Sequence, residues 1–136
     1  MGEGIGDCRL NLQPAQIVYL EHEGCRVYAE VVQVVELRQI CWVRPWVMIA
    51  DGSAQQPKPE IIWTDLREGS DLLMPLQLFQ PASDVDILPV LDYLYKKNIN
   101  RNQGKSEANI HQELTKFIRG LSAAFPESFI NCRNLP

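Results

Sequence analysis

The run Gln39-Ile-Cys-Trp-Val-Arg-Pro-Trp-Val-Met-Ile-Ala50 constrains the fold more than any other stretch of the chain. It is almost wholly apolar and rich in β-branched residues, and it holds Trp42 and Trp46 with Arg44 between them. A bilayer helix needs roughly 20 such residues, so this run is too short to span a membrane. It reads instead as a central, largely buried strand. Pro45 brings no N–H to a ladder, so the strand must bend or bulge there. Segments upstream of the run can pair with it, and segments downstream can cover it.

Upstream, residues 1–15 are glycine-rich and then polar, and are expected to form a loose leader. Gln16 to His22 is a first strand. Glu23-Gly24 is a two-residue turn, since glycine tolerates the positive φ such loops require. Cys25 to Glu36 is a long second strand, and Leu37-Arg38 turns the chain into the central run. Connections this short admit only antiparallel neighbours. Downstream, Asp51 to Pro59 is a loop by composition. Glu60 to Leu66 is a fourth strand and Asp71 to Phe79 a fifth extended segment. Pro75 inside the fifth marks an edge strand or a bulge.

After Pro81 the period changes from two to between three and four. Ser83 and Asp86 form a capping box with Asp in place of Glu, and Asp84 and Asp86 suit the positive end of a helix dipole. Val85, Leu88, Leu91 and Leu94, with Val90 and Tyr95, are expected to form the buried face of a helix ending near Lys97. Pro89 either kinks that helix or marks a start one turn later. Asn98 to Lys105 is a polar linker. Ser106 caps a second helix with Ile110, Leu114, Phe117, Ile118 and Leu121 as its stripe; Gly120 weakens its end and Pro126 stops it. The expected fold is α+β: a twisted antiparallel sheet of about five strands, with an SH3-like, partly closed form as one option, followed by two packed helices. All 136 residues form one domain, divided into the leader (1–15), a sheet region (16–80), a two-helix region (83–125) and a tail (126–136).

Composition narrows the function. The net charge is −4, which disfavours nucleic acid as a partner, because such binding needs a basic face. Cys8, Cys25, Cys41 and Cys132 show no C-x-x-C spacing and read as reduced thiols. The first residues lack the basic start and apolar core of a signal peptide, so a cytoplasmic location is expected. No phosphate-binding glycine loop is present: Gly2, Gly4 and Gly6 precede no strand–helix junction. Asp84 and Asp86 are explained by a helix start. Lys96, Lys97, Arg101 and Lys105 are explained by a solvated linker.

A nucleophilic site needs a histidine beside a Ser or Cys, and there are two histidines, His22 and His111. A Cys25–His22 pair across the hairpin end is the one catalytic arrangement the spacing offers, and decoration of a hairpin is its ordinary alternative. Zinc is not expected there, because the ligands are too few and badly spaced. Trp42, Arg44 and Trp46 share one face if the strand is regular. Arg44 can then stack on indoles and present its fork to a carboxylate. Trp and Arg also dominate protein–protein hot spots. In the alternative, the rings are core and Arg44 pairs with a buried acid such as Glu30.

The segments Ile17-Val-Tyr-Leu-Glu, Tyr28-Ala-Glu-Val-Val-Gln-Val-Val, Cys41-Trp-Val-Arg-Pro45, Asp65-Leu-Arg, Ser70-Asp-Leu-Leu-Met-Pro75 and Leu78-Phe-Gln-Pro81 resemble a small family of uncharacterised cyanobacterial proteins over about residues 16–95. The resemblance attaches no established activity. It implies a cyanobacterial cytosol, a setting where small acidic non-enzymes serve as assembly factors for photosynthetic complexes, Rubisco or carboxysome shells.

The resulting expectation is a non-catalytic, chaperone-like adaptor, without cofactor or metal, that binds a segment of a partner protein through Trp42, Arg44, Trp46 and Trp63. The alternative is an SH3- or OB-like binder of single-stranded nucleic acid, stacking bases on the same three indoles.

Overall fold

The computed structural model describes residues 11–51, 61–99 and 107–134. Among these residues, six strands form one antiparallel sheet: β1 (Ile17–His22), β2 (Cys25–Val35), β3 (Ile40–Asp51), β4 (Ile61–Asp65), β5 (Leu72–Pro75) and β6 (Gln80–Pro81). Three helices come after the sheet: α1 (Asp84–Ile99), α2 (Glu107–Ala124) and α3 (Pro126–Asn134). The strand order is β4-β3-β2-β1-β6, with β5 also on β3, and the sheet is open. The α+β plan read from the sequence is thus the one adopted, without the barrel-like closure. Among the described residues no helix is long and apolar enough to cross a membrane.

The run that dominates the sequence is β3, the hub of the sheet. Its first half pairs with β5, its second half with β4, and its other edge with β2. The bend expected at Pro45 is a bulge: Ala29 pairs with Pro45 and Tyr28 with Val47, leaving Trp46 as the extra residue. A second bulge leaves Val32 extra on β2. Between β1 and β2 the turn residues Glu23 (φ 47°) and Gly24 (φ 75°) both adopt positive φ, as a type I′ hairpin requires.

Each face of the sheet packs against a helix, α2 on one and α1 on part of the other. On one face Val18, Leu20, Val27, Val31, Val43 and Phe79 pack against the α2 stripe Ile110, Leu114, Phe117 and Leu121. Burying those four helix side chains contributes roughly 6–12 kcal/mol at about 1.5–3 kcal/mol each, an upper bound. On the other face Tyr28, Val47, Trp46 and Trp63 pack against Val90, Tyr93 and Leu94 of α1. Arg26 strengthens that contact. Its Nε donates to Glu21 Oε1 at 3.0 Å and its Nη1 to the Tyr28 hydroxyl at 3.0 Å. Its guanidinium lies 4.3 Å from the centre of the Tyr19 ring, with Asp86 of α1 at 4.0 Å. The capping box forms as read: Asp86 N–H donates to Ser83 Oγ at 3.2 Å, and Ser83 N–H to Asp86 Oδ2 at 3.3 Å.

Several expectations are corrected. Of the face expected to be buried on α1, Val90 and Leu94 are buried and with Tyr93 face the sheet, whereas Val85, Leu88, Leu91 and Tyr95 are exposed. The helix carries apolar residues on both sides, and a three-residue count drifts from one to the other. Pro89 lies inside the helix and does not mark its start. The fifth segment is not extended to Phe79: β5 ends at Pro75, a 3₁₀ turn spans Leu76–Leu78, and β6 then joins β1 at the opposite edge. The tail is a third helix. Pro126 stops α2 and also opens α3 as its first residue, where its missing N–H costs nothing. The part of the leader that is described is held in place: Leu12 is buried, and Ala15 N–H donates to Val31 O at 2.8 Å. Residues 1–10, the loop at 52–60, and the linker and cap at 100–106 fall outside the described residues.

Candidate functional site

The chain makes a sharp corner between β4 and β5, and the candidate site is built around it. After β4, Leu66 is fully buried and its N–H donates to Trp46 O at 2.9 Å. Gly69 then closes a turn by donating to Leu66 O at 2.9 Å. A Cβ at position 69 would come within 3.1 Å of Ile110 Cγ2 and 3.3 Å of Leu66 O, so the turn sits tight against α2 because glycine occupies it. The chain thereby re-enters the sheet at Leu72, alongside the first half of β3.

Asp71, just before β5, is the central group of the corner. Its Oδ2 accepts from Trp42 Nε1 at 2.9 Å and its Oδ1 from Arg44 Nε at 3.4 Å. One carboxylate thus holds both side chains from the same face of β3. Arg44 pairs with neither a buried acid nor Glu30, which stands opposite it in the register: its partner is Asp71, and both residues are exposed. The Arg44 side chain is still 56% exposed, so a further acceptor can reach its fork. Leu73 stands opposite Trp42 across the β3–β5 ladder and is 67% exposed. Exposed Arg44 and Leu73, with the half-buried Trp42 beside them, therefore form a partly apolar platform on the half of the face that the α1 cluster does not include.

Trp46 and Trp63 do not join that platform. Both are half-buried in the α1 cluster. The Trp63 ring packs on Tyr93 with centroids 4.9 Å apart, and the Tyr93 hydroxyl donates to Trp63 O at 3.4 Å. The three indoles are consequently not one stacking surface.

Behind the corner, on the α2 side, lies a cleft of about 530 Å³. Leu72, Ile110, Leu114 and Ile118 supply its apolar walls, with Glu68 and His111 among its polar lining. Its size falls in the range of roughly 300–1,000 Å³ that accommodates ligand-sized groups. At the base of the corner Arg67 grips Asp65, with Nε to Oδ1 at 3.0 Å and Nη2 to Oδ2 at 2.7 Å. Burial raises the Asp65 pKa, but the Arg67 hydrogen bonds and charge outweigh it and hold the carboxyl below its ordinary value. Burial and the charge of Asp65 push the Tyr93 phenol up.

The Cys25–His22 pair is brought together: the two residues face each other at the hairpin end. The chemistry is unfavourable. Burial, then the charges of Glu113 and Asp51, push the Cys25 thiol up to about 11, whereas a nucleophilic cysteine needs its pKa lowered. The His22 ring lies against α2, where a Cβ on Gly120 would come within 3.1 Å of Cδ2. Both residues serve as packing between hairpin and helix. Among the described residues, no three His, Cys, Asp or Glu side chains are grouped to hold a metal ion.

Sequence reasoning missed Asp71 and Arg26. Asp71 reads as an ordinary turn acid, and only the β3–β5 register sets it beside Trp42. For Arg26 a signal existed: with Glu21, Tyr19 and Tyr28 it shares one face of a hairpin whose two-residue turn fixes the register.

No protein-family model matches the chain, and no curated protein or solved structure matches it.

Proposed function

We propose that this protein is a non-catalytic binding protein, an adaptor or assembly factor, that recognises a segment of a partner protein at the β4–β5 corner. The observation that carries the proposal is the Asp71 carboxylate gripping Trp42 and Arg44. It fixes an indole and a guanidinium in advance, so little ordering cost remains when a partner binds. Leu73 adds an exposed apolar contact beside them. Trp, Arg and an aliphatic neighbour are the residues from which interface hot spots are made. The matching segment carries an apolar side chain for Trp42 and Leu73 and a carboxylate for the Arg44 fork. The cleft behind the corner accepts a further apolar anchor. The raised pKa of Cys25 supports a role without a cysteine nucleophile. In the cyanobacterial cytosol implied by the sequence resemblance, the partner would belong to a photosynthetic complex, Rubisco or a carboxysome shell.

The test is affinity purification from the host with the intact chain and with Leu73→Asp. Because Leu73 is exposed, the substitution leaves the fold intact. The expected result is a discrete protein partner recovered by the intact chain and depleted at least about tenfold with Leu73→Asp, the equivalent of roughly 1.4 kcal/mol. Recovery of no specific protein, or recovery indifferent to the substitution, would reject the proposal.

A further inference from the structure

The cleft behind the corner is layered. Its floor is aliphatic and largely covered: Ile110 and Leu114 are buried, and Leu72 and Ile118 half-buried. Ile110, Leu114 and Ile118 keep an i, i+4, i+8 spacing, so they run along the floor for about 12 Å, at 1.5 Å per residue. Its rim is polar and mostly exposed. Glu68, Ser70 and Asp71 stand on the corner side, and His111 with the half-buried Thr115 on the α2 side. Gly69 brings the two sides together, since its missing Cβ lets the corner close on Ile110.

The charge on the rim specifies what fills the cleft. No lysine or arginine is among the described residues that line it. Asp71 is already engaged by Trp42 and Arg44. Arg67, beside Glu68 in the chain, feels its charge but has Nε and Nη2 both bound to Asp65. Among the described residues, no hydrogen bond or salt bridge engages the Glu68 carboxylate. A purely apolar occupant would strip water from that carboxylate and give nothing back. An ammonium carries three donors and no acceptor, and the Glu68 carboxylate with the Ser70 and Thr115 hydroxyls supplies acceptors. An aliphatic stem ending in a cation therefore matches both layers, with the stem on the floor and the head at the rim.

We propose that the cleft takes a lysine or arginine side chain of the partner segment, its methylenes on Leu72, Ile110, Leu114 and Ile118 and its charge beside Glu68. The inference rests on the corner being a partner-binding site, and it gives the anchor in the cleft its chemistry. The segment then carries an acid for Arg44 and a base for Glu68, two opposite charges that fix its register on the corner.

Titrations of the intact chain followed by methyl NMR test this. n-Pentylammonium and n-butylguanidinium stand for the two side chains, with 1-pentanol and pentanoate as neutral and anionic controls. Both cations are expected to shift the methyl signals of Leu72, Ile110, Leu114 and Ile118 with a Kd of about 10 mM, in keeping with ligands of so few atoms. Pentanol should bind about threefold more weakly, and pentanoate not at all. Glu68→Gln should weaken the cations by about threefold, the scale of a partly exposed ion pair, and leave pentanol unchanged. Because Glu68 is exposed, the substitution leaves the fold intact, as circular dichroism will show. A blocked Gly-Gly-Lys-Gly-Gly peptide should shift the same methyls, and its norleucine counterpart should do so more weakly. No shift by either cation up to about 100 mM would overturn the proposal. Pentanol binding as tightly as the cations, indifference to Glu68→Gln, or binding of the free cations without the peptide would overturn it too. Its failure is distinct from that of the corner: if Leu73→Asp still releases the partner while the cleft ignores both cations, only this inference falls.

Discussion

Replacing Asp71 by alanine removes the acceptor shared by Trp42 and Arg44, and the size of the effect can be worked from the contacts. The Trp42 bond is short, 2.9 Å, and the Asp71 side chain is 31% exposed. A hydrogen bond to a charged group contributes about 1.5–3 kcal/mol, and partial exposure reduces this one to about 1 kcal/mol. The Arg44 contact is longer, 3.4 Å, and more exposed, so screening limits it to about 0.5 kcal/mol. The expected loss is about 1.5 kcal/mol, or roughly 5 °C in Tm for a domain of this size. Asp71→Asn should lose about half as much, since the amide oxygen still accepts from Trp42. Urea unfolding followed by circular dichroism gives each value. The decisive quantity is the coupling in a double-mutant cycle of Asp71→Ala with Trp42→Phe, expected near about 1 kcal/mol. A coupling below about 0.3 kcal/mol, within the scatter of independent sites, would refute the claim that Asp71 orients the indole.

Three further outcomes are expected. Asp65 has its pKa depressed in the folded state, so its contribution is present above the unfolded pKa and lost as pH falls through the folded one. Arg67→Gln should therefore destabilise the protein at neutral pH and shift acid unfolding to higher pH. The gap from wild type should close at the acid end; a pH-independent gap would contradict the assignment. With its pKa near 11, Cys25 should be alkylated roughly 200-fold more slowly than a free cysteine at pH 8, judged by ionised fraction, as peptide-resolved mass spectrometry would show. Phe79, fully buried where the chain crosses to β6, should cost about 3–5 kcal/mol when replaced by alanine, measured as a lower urea midpoint.

The features legible in the sequence were local. The Glu23-Gly24 turn, the Ser83–Asp86 capping box and the placement of β3 depend on a few adjacent residues. The α2 stripe was equally plain because its apolar residues keep to one side. The readings that failed needed information from elsewhere in the chain. The inner side of α1 could not be chosen, because Val85, Leu88 and Leu91 repeat as regularly as Val90 and Leu94. The α3 helix was hidden because Pro126 was read as a stop alone. At the candidate site Trp42 and Arg44 stood out by residue type, but their partner did not. The bulge at Trp46 and the corner after β4 intervene before Asp71 returns along the same edge of β3, and neither is given by simple alternation.

The central claim is that the corner of Trp42, Arg44 and Leu73 binds another protein. A photo-activated cross-linking residue in place of Leu73, in the full chain expressed in its host, tests this most directly. The same residue in place of Leu37, 86% exposed at the β2–β3 turn, serves as the control. The account predicts one discrete protein adduct from position 73, absent from position 37 and lost when Arg44→Glu is added. No adduct at position 73, or the same mixture from both positions, would contradict it.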